Sequence, residues 1–266
     1  MLEMTGGRAF FKILQNFTFF YTLNHLLKFA FSYIIYILII RRKTLGIINI
    51  FTSGLDAAHI FIYLGAWIIA IVVAIVCHEF AHSYAAVKMG DLTPKYAGRL
   101  TLNPAKHFDA LGFVFLILIG FGWAKPVPIN SNNFRNIRKG EVIVALSGIL
   151  TNLVLCIIFT LCYSLCALFL DPTLLIFEFL QILFYYLACT NLIFAVFNLL
   201  PLYPLDGFNL VSAFCRYDNK FLAFMRQWSW VILLVLLITG ALGWVLTAFS
   251  NLVIGNLLAL FGMIFT

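Results

Sequence analysis

Apolar residues gather in long runs along this chain instead of recurring at the spacing of a half-buried helix or strand. Five runs approach or exceed the roughly 20 residues that a helix needs to cross bilayer hydrocarbon: Phe17 to Ile40, Ile60 to Met89, Val142 to Leu170, Leu174 to Leu200 and Trp228 to Phe249. Each predicts a spanning helix. Leu111 to Phe121 is short and bounded by glycine, which predicts a re-entrant piece or one buried in protein. Asn251 to Thr266 predicts an interfacial segment or one more marginal span. The stretch "YAGRLTLN", after the second run, reads as β-prone. The pattern as a whole predicts an all-α polytopic membrane protein with about five or six transmembrane helices and a short re-entrant or β-prone insertion. No internal repeat is visible.

Composition narrows this further. Hydrophobic residues make up 64% of the 266, charged residues 10%, and mean hydropathy is +1.04. A soluble domain is about half apolar and a quarter charged, so that class is excluded. The net charge of +7 sits on the flanks of the runs: Lys88, Lys95, Arg99 and Lys106; Lys125, Arg135, Arg138 and Lys139; Arg216, Lys220 and Arg226. The positive-inside rule puts these segments in the cytoplasm and Asp171-Pro172 outside. Arg41, Arg42 and Lys43 break strict alternation if Phe17 to Ile40 crosses once. Anionic lipid headgroups account for the basic flanks, and no nucleic-acid partner is implied. The first run lacks a small-residue cleavage site and is expected to be retained. Five of the six cysteines lie within apolar runs and none forms a CxxC pair, so they are expected to be buried hydrophobes.

The stretch "IVCHEFAHSYAAVKMGD" ends the second run with three polar groups at membrane depth. His78 and His82 are four residues apart and share one helix face, one turn apart. Two imidazoles so placed can share a zinc ion, and Glu79 can take a proton from a water beside it. With five histidines in the chain, chance gives roughly 0.001 such matches, so accident is a poor explanation. Ionisable groups at this depth are costly and default to function. A third ligand must reach the same depth, and Asp206 in "FNLLPLYPLDGFN" is the acid best placed to do so. Pro201 and Pro204 break the helix before it, and Gly207 permits a sharp turn after it.

"HEFAH", "GRLTLNPAKHFDALG", "FGWAKPVPIN" and "NLLPLYPLDG", in this order over about residues 60 to 215, resemble the site-2 protease family of intramembrane zinc metalloproteases (peptidase family M50). In particular, they resemble the compact prokaryotic members without a PDZ domain. The resemblance implies that His78, His82 and Asp206 are zinc ligands, one zinc per chain, and that Glu79 is the catalytic base. It makes Asn198 and Asn152 substrate-binding residues, Asn152 through the Gly-x-x-x-Asn pattern that begins at Gly148. Ile149 and Tyr203 depart from the pattern where proline is usual. His107 and Lys125 also match family positions, with loop structure or lipid contact as their expected role. The implied division is an N-terminal helix and linker (1–56), a catalytic core (57–216) and a C-terminal transmembrane region (217–266). The implied partners are the lipid bilayer and transmembrane-protein or signal-peptide substrates, with adaptors and homo-oligomers left open. The implied location is a multi-pass place in the plasma membrane with the active site near the cytoplasmic side.

Two other classes stand beside this reading. A metal transporter or channel requires more acids or histidines along a route across the bilayer, and only Glu178 is another acid well inside a run. A catalytically silent scaffold would not need an intact base and ligand set.

Overall fold

The computed structural model describes residues 56–108, 125–171, 173–216 and 219–265. The expected helix Phe17 to Ile40, the Arg41, Arg42 and Lys43 cluster and the expected re-entrant piece Leu111 to Phe121 all lie outside the described residues. Three long helices form the frame: α1 (Ala57–Met89), α2 (Ile137–Phe169) and α3 (Leu175–Asn198). They are followed by α4 (Asp206–Ser212), α5 (Lys220–Ile238) and α6 (Ala241–Phe265). Helices α1, α2, α3 and the Ala241–Ile264 part of α6 are long and apolar enough to cross a membrane. Among the described residues there is no β-strand. Thr93–Tyr96 and Pro104–His107 are single helical turns, so "YAGRLTLN" is turn and bend, and 125–130 is an irregular segment without regular secondary structure.

The expectation of one helix over Trp228 to Phe249 is corrected. Its hydropathy hides a break: α5 ends at Ile238, and Gly240 takes φ 73°, a left-handed conformation that costs glycine little. The last spanning helix therefore begins at Ala241 and absorbs the stretch read as a marginal segment from Asn251 onward.

The three frame helices pack closely because α1 offers small residues where its neighbours approach. Ala66, Ala70 and Ala74, spaced one turn apart, are wholly buried, and they let backbones come near without a hydrophobic force between helices in lipid. Trp67, Ile71 and Ile75 pack with Tyr186 and Leu187 of α3 in the same core. Near the other end of α3, Phe197, Leu202 and Leu205 pack with Leu233 of α5 and Leu242 and Leu246 of α6. All six cysteines are free, and Cys156 and Cys189 are buried between α2, α3 and α6.

One end of this bundle is tied to loops. Helix α1 closes at Gly90 (φ 115°), where Asp91 N–H reaches Ala86 O at 2.9 Å and Gly90 N–H reaches Val87 O at 3.2 Å. Asp91 is wholly buried and accepts from Asn130 N–H (2.8 Å), Asn133 Nδ2 (2.8 Å) and both Thr93 donors. Burial pushes its pKa up, but these donors outweigh burial and hold it below the ordinary carboxylate value. The loop before α2 is thereby fastened to the end of α1.

Candidate metal centre

His78 and His82 lie 11 and 7 residues before the end of α1, about 10 to 17 Å in from it by helix rise. Their rings meet edge to face, with centroids 4.5 Å apart. Tautomers follow from what the outer nitrogens meet. A carbonyl can only accept, so Val144 O, 2.8 Å from His82 Nδ1, fixes the proton on that nitrogen. Asn152 Oδ1, 3.1 Å from His78 Nδ1, does the same for the other ring. Both Nε2 atoms then present lone pairs, and they lie 3.0 Å apart.

Asp206 completes the group. Its Oδ2 lies 3.1 Å from each Nε2, and this buried oxygen has no hydrogen-bond partner. Three lone-pair donors converge with no proton assigned between them, an arrangement that a cation relieves. With zinc–ligand bonds of about 2.0–2.1 Å, tetrahedral ligands stand roughly 3.3–3.4 Å apart, close to the spacing found, so the residues fit zinc. Among the described residues, this is the one group of three His, Cys, Asp or Glu side chains suited to a metal, with ligand atoms within 4.8 Å of one another.

Each of these three side chains has a local reason to be where it is. Gly148 of α2 presses on both rings: a Cβ there would fall 2.6 Å from His78 Cε1 and 2.7 Å from His82 Nε2, so only glycine allows this approach. Asp206 opens α4 after the proline-broken end of α3. Gly207 folds that turn onto the helix it has just left, where a Cβ would lie 2.2 Å from Leu199 O. Ser229 Oγ of α5 accepts from Tyr203 N–H at 2.9 Å, and Arg138 Nε donates to Ala213 O at 2.8 Å just beyond α4. The helix carrying Asp206 is thus held at both ends, and sequence reasoning assigned Arg138 only to a basic flank.

The pair and the aspartate open on a cavity of about 390 Å³, whose wall also includes Glu79, Asn198, Phe194, Phe197 and Leu233. Glu79 Oε2 faces Val127 N–H at 3.4 Å, in the irregular segment 125–130. Arg99, almost wholly buried, donates to Lys106 O and, at 3.2 Å, to Lys125 O, pinning that segment from behind. His107 is buried and hydrogen-bonds Thr101 O at 2.6 Å, while its carbonyl accepts from Lys125 N–H. The His107 side chain and the Lys125 backbone are thus both tied into the loop. Asn198 is on the cavity wall and its Nδ2 donates to Phe194 O at 3.0 Å. Asn152, expected from the sequence as a substrate contact, is wholly buried, with its Oδ1 turned to His78 Nδ1. Glu178 lies in the first turn of α3, 3.3 Å from His59 Nε2 near the start of α1, and is not among the described residues that line this cavity.

Known proteins agree with this chemistry. A family model described as "Peptidase family M50" matches residues 173–239. The chain is 36% identical over 202 residues to "Putative zinc metalloprotease YwhC" of Bacillus subtilis, covering 74% of this chain and 91% of that one. It is 33% identical over 189 residues to "Putative zinc metalloprotease Rip2" of Mycolicibacterium smegmatis, covering 68% and 70%. A protein of the same name from Mycobacterium tuberculosis is 29% identical over 196 residues. No solved structure matches the chain. With the helices long enough to cross a membrane, these likenesses make the chain a member of peptidase family M50, an intramembrane zinc metalloendopeptidase of the site-2 protease type.

Proposed function

We propose that His78, His82 and Asp206 hold the zinc, that Glu79 is the general base, and that the cavity receives part of a transmembrane helix or signal peptide for hydrolysis. The convergence of three lone-pair donors at 3.0–3.1 Å carries this reading. His78 Nε2, His82 Nε2 and Asp206 Oδ2 would hold the zinc, which when bound would supply Lewis-acid activation of a water and of a peptide carbonyl. Glu79 Oε takes the proton of the attacking water and returns it to the leaving amine. Val144 O and Asn152 Oδ1 keep both imidazoles in the binding tautomer, and apolar walls such as Ile75, Phe197 and Leu233 exclude bulk water.

A helical substrate hides its carbonyls, so part of it must unwind. The segment 125–130, whose Pro126, Val127 and Ile129 line the cavity beside Glu79, supplies backbone groups for it, and Asn198 a side-chain amide. The core is residues 57–216, between an N-terminal helix with its linker (1–56) and a C-terminal membrane region (217–266). The basic segments after α1, before α2 and around α4 share the end of the bundle that carries the site, which favours a cytoplasmic-side active site in a plasma membrane.

Metal removal tests the function. Full-length protein in vesicles with a single-span reporter is expected to yield a cleaved product. Stripping zinc with a chelator should abolish cleavage, and adding back about one zinc per chain should restore it. Undiminished cleavage by metal-free protein would refute the reading. Asn152→Ala is expected to weaken zinc binding by about 10- to 100-fold in competition with a chromophoric chelator, because His78 loses its tautomer anchor. Asn152→Asp, which still accepts from Nδ1–H, should recover most of it. Wild-type affinity in Asn152→Ala would remove this role.

A further inference from the structure

The cavity does not end at the metal ligands. It continues along α2 to Glu141, with Ser131, Asn209 and Ser212 on the surrounding wall. Glu141, Ala145, Gly148 and Asn152 follow one another at intervals of four, three and four residues, so they share the face of α2 that looks on α1. Seven residues separate Glu141 from the glycine that touches both imidazoles, about 10 Å along the helix axis. An extended chain covers that distance in about three residues.

Three carboxylates line this cavity, and among the described residues on its wall none is lysine or arginine. Glu79 and Asp206 are matched by the doubly charged metal in the proposed site. Glu141 is the charge left over. It is half-buried, and among the described residues it makes no ion pair and no side-chain hydrogen bond. Arg138, three residues before it, is committed to Ala213 O and Phe214 O and lies over the Phe214 ring. A carboxylate with no partner among the described residues, on the wall of a cavity that must accept polypeptide, is available to a cation on the substrate.

We propose that Glu141 forms a subsite for a lysine or arginine side chain about three residues from the bond that is cut. Transmembrane segments carry such residues at their cytoplasmic ends. The enzyme therefore takes the basic flank of a membrane helix in preference to its apolar centre. This inference rests on the proposed reading of the cavity as the active site, and it is tested separately from cleavage.

The probe is a set of single-span peptides with one Gly/Ala-rich core, bearing lysine, glutamine or glutamate at one flanking position moved stepwise along the chain. Binding is measured in vesicles to full-length, zinc-loaded Glu79→Gln protein, so that turnover plays no part. The lysine peptide is expected to bind about 10-fold more tightly than the glutamate peptide at one or two adjacent positions. Adding Glu141→Gln should erase the difference, and adding Glu141→Lys should invert it, with zinc content unchanged. A lysine preference that survives both substitutions, or no binding of the lysine peptide, overturns the subsite. Failure of the protease reading would appear elsewhere, as wild-type protein that cleaves no peptide.

Discussion

Replacing Glu79 by glutamine is expected to leave zinc in place and to abolish proteolysis. The substitution keeps shape and hydrogen-bonding reach: an amide oxygen can still face Val127 N–H, and the three ligand atoms are untouched. What disappears is the capacity to take a proton. Loss of a positioned general base costs typically about 10²- to 10⁴-fold in rate. The measurement pairs zinc per chain, by elemental emission, with product formed in a single turnover of a membrane reporter. Unimpaired cleavage by a zinc-loaded variant would mean that another group takes the proton. Loss of zinc together with activity would instead make Glu79 part of the binding site.

The parts of the centre that the sequence made legible are those set by local periodicity. His78 and His82 fall on one face because four residues are close to one helical turn, whatever the helix packs against. Asp206 stood out because two prolines and a glycine break the backbone around the only acid at a suitable depth. What holds these residues could not be read in the same way. The approach of Gly148 to both rings, the anchoring of His82 on Val144 O and the turn of Asn152 towards His78 depend on how α2 is rotated and shifted against α1. That rotation is settled by packing across residues more than 60 positions apart in sequence. The family pattern pointed to Asn152 but not to the partner its side chain meets. At the C-terminal end the difficulty was of another kind. Hydropathy treats Gly240 as a mild residue, whereas its left-handed conformation separates two helices. Thr239 and Gly240 together were the available signal, a helix stop inside an otherwise apolar run.

The second large effect is expected at Asp206, the proposed third ligand. Asp206→Ala should lower zinc affinity by more than the roughly 100-fold that loss of a supporting residue costs, because it removes a ligand and its charge together. Two neutral imidazoles in a water-poor site cannot offset a divalent cation, and the aspartate supplies the first compensating charge. Asp206→Asn separates the two contributions: it keeps an oxygen at the same reach without the charge, so it should bind zinc less well than wild type and better than alanine. Global unfolding does not explain such a loss. Arg138 holds the far end of α4 through Ala213 O and Phe214 O, and Gly207 packs on Leu199 O, contacts that make no use of the Asp206 side chain. Metal-free wild type and metal-free Asp206→Ala should therefore melt within a few degrees of each other, while their zinc titrations differ by orders of magnitude. If Asp206→Ala held zinc as tightly as wild type, the third ligand would lie elsewhere, and Glu79, the remaining acid beside the imidazoles on the cavity wall, would have to be reassigned from base to ligand.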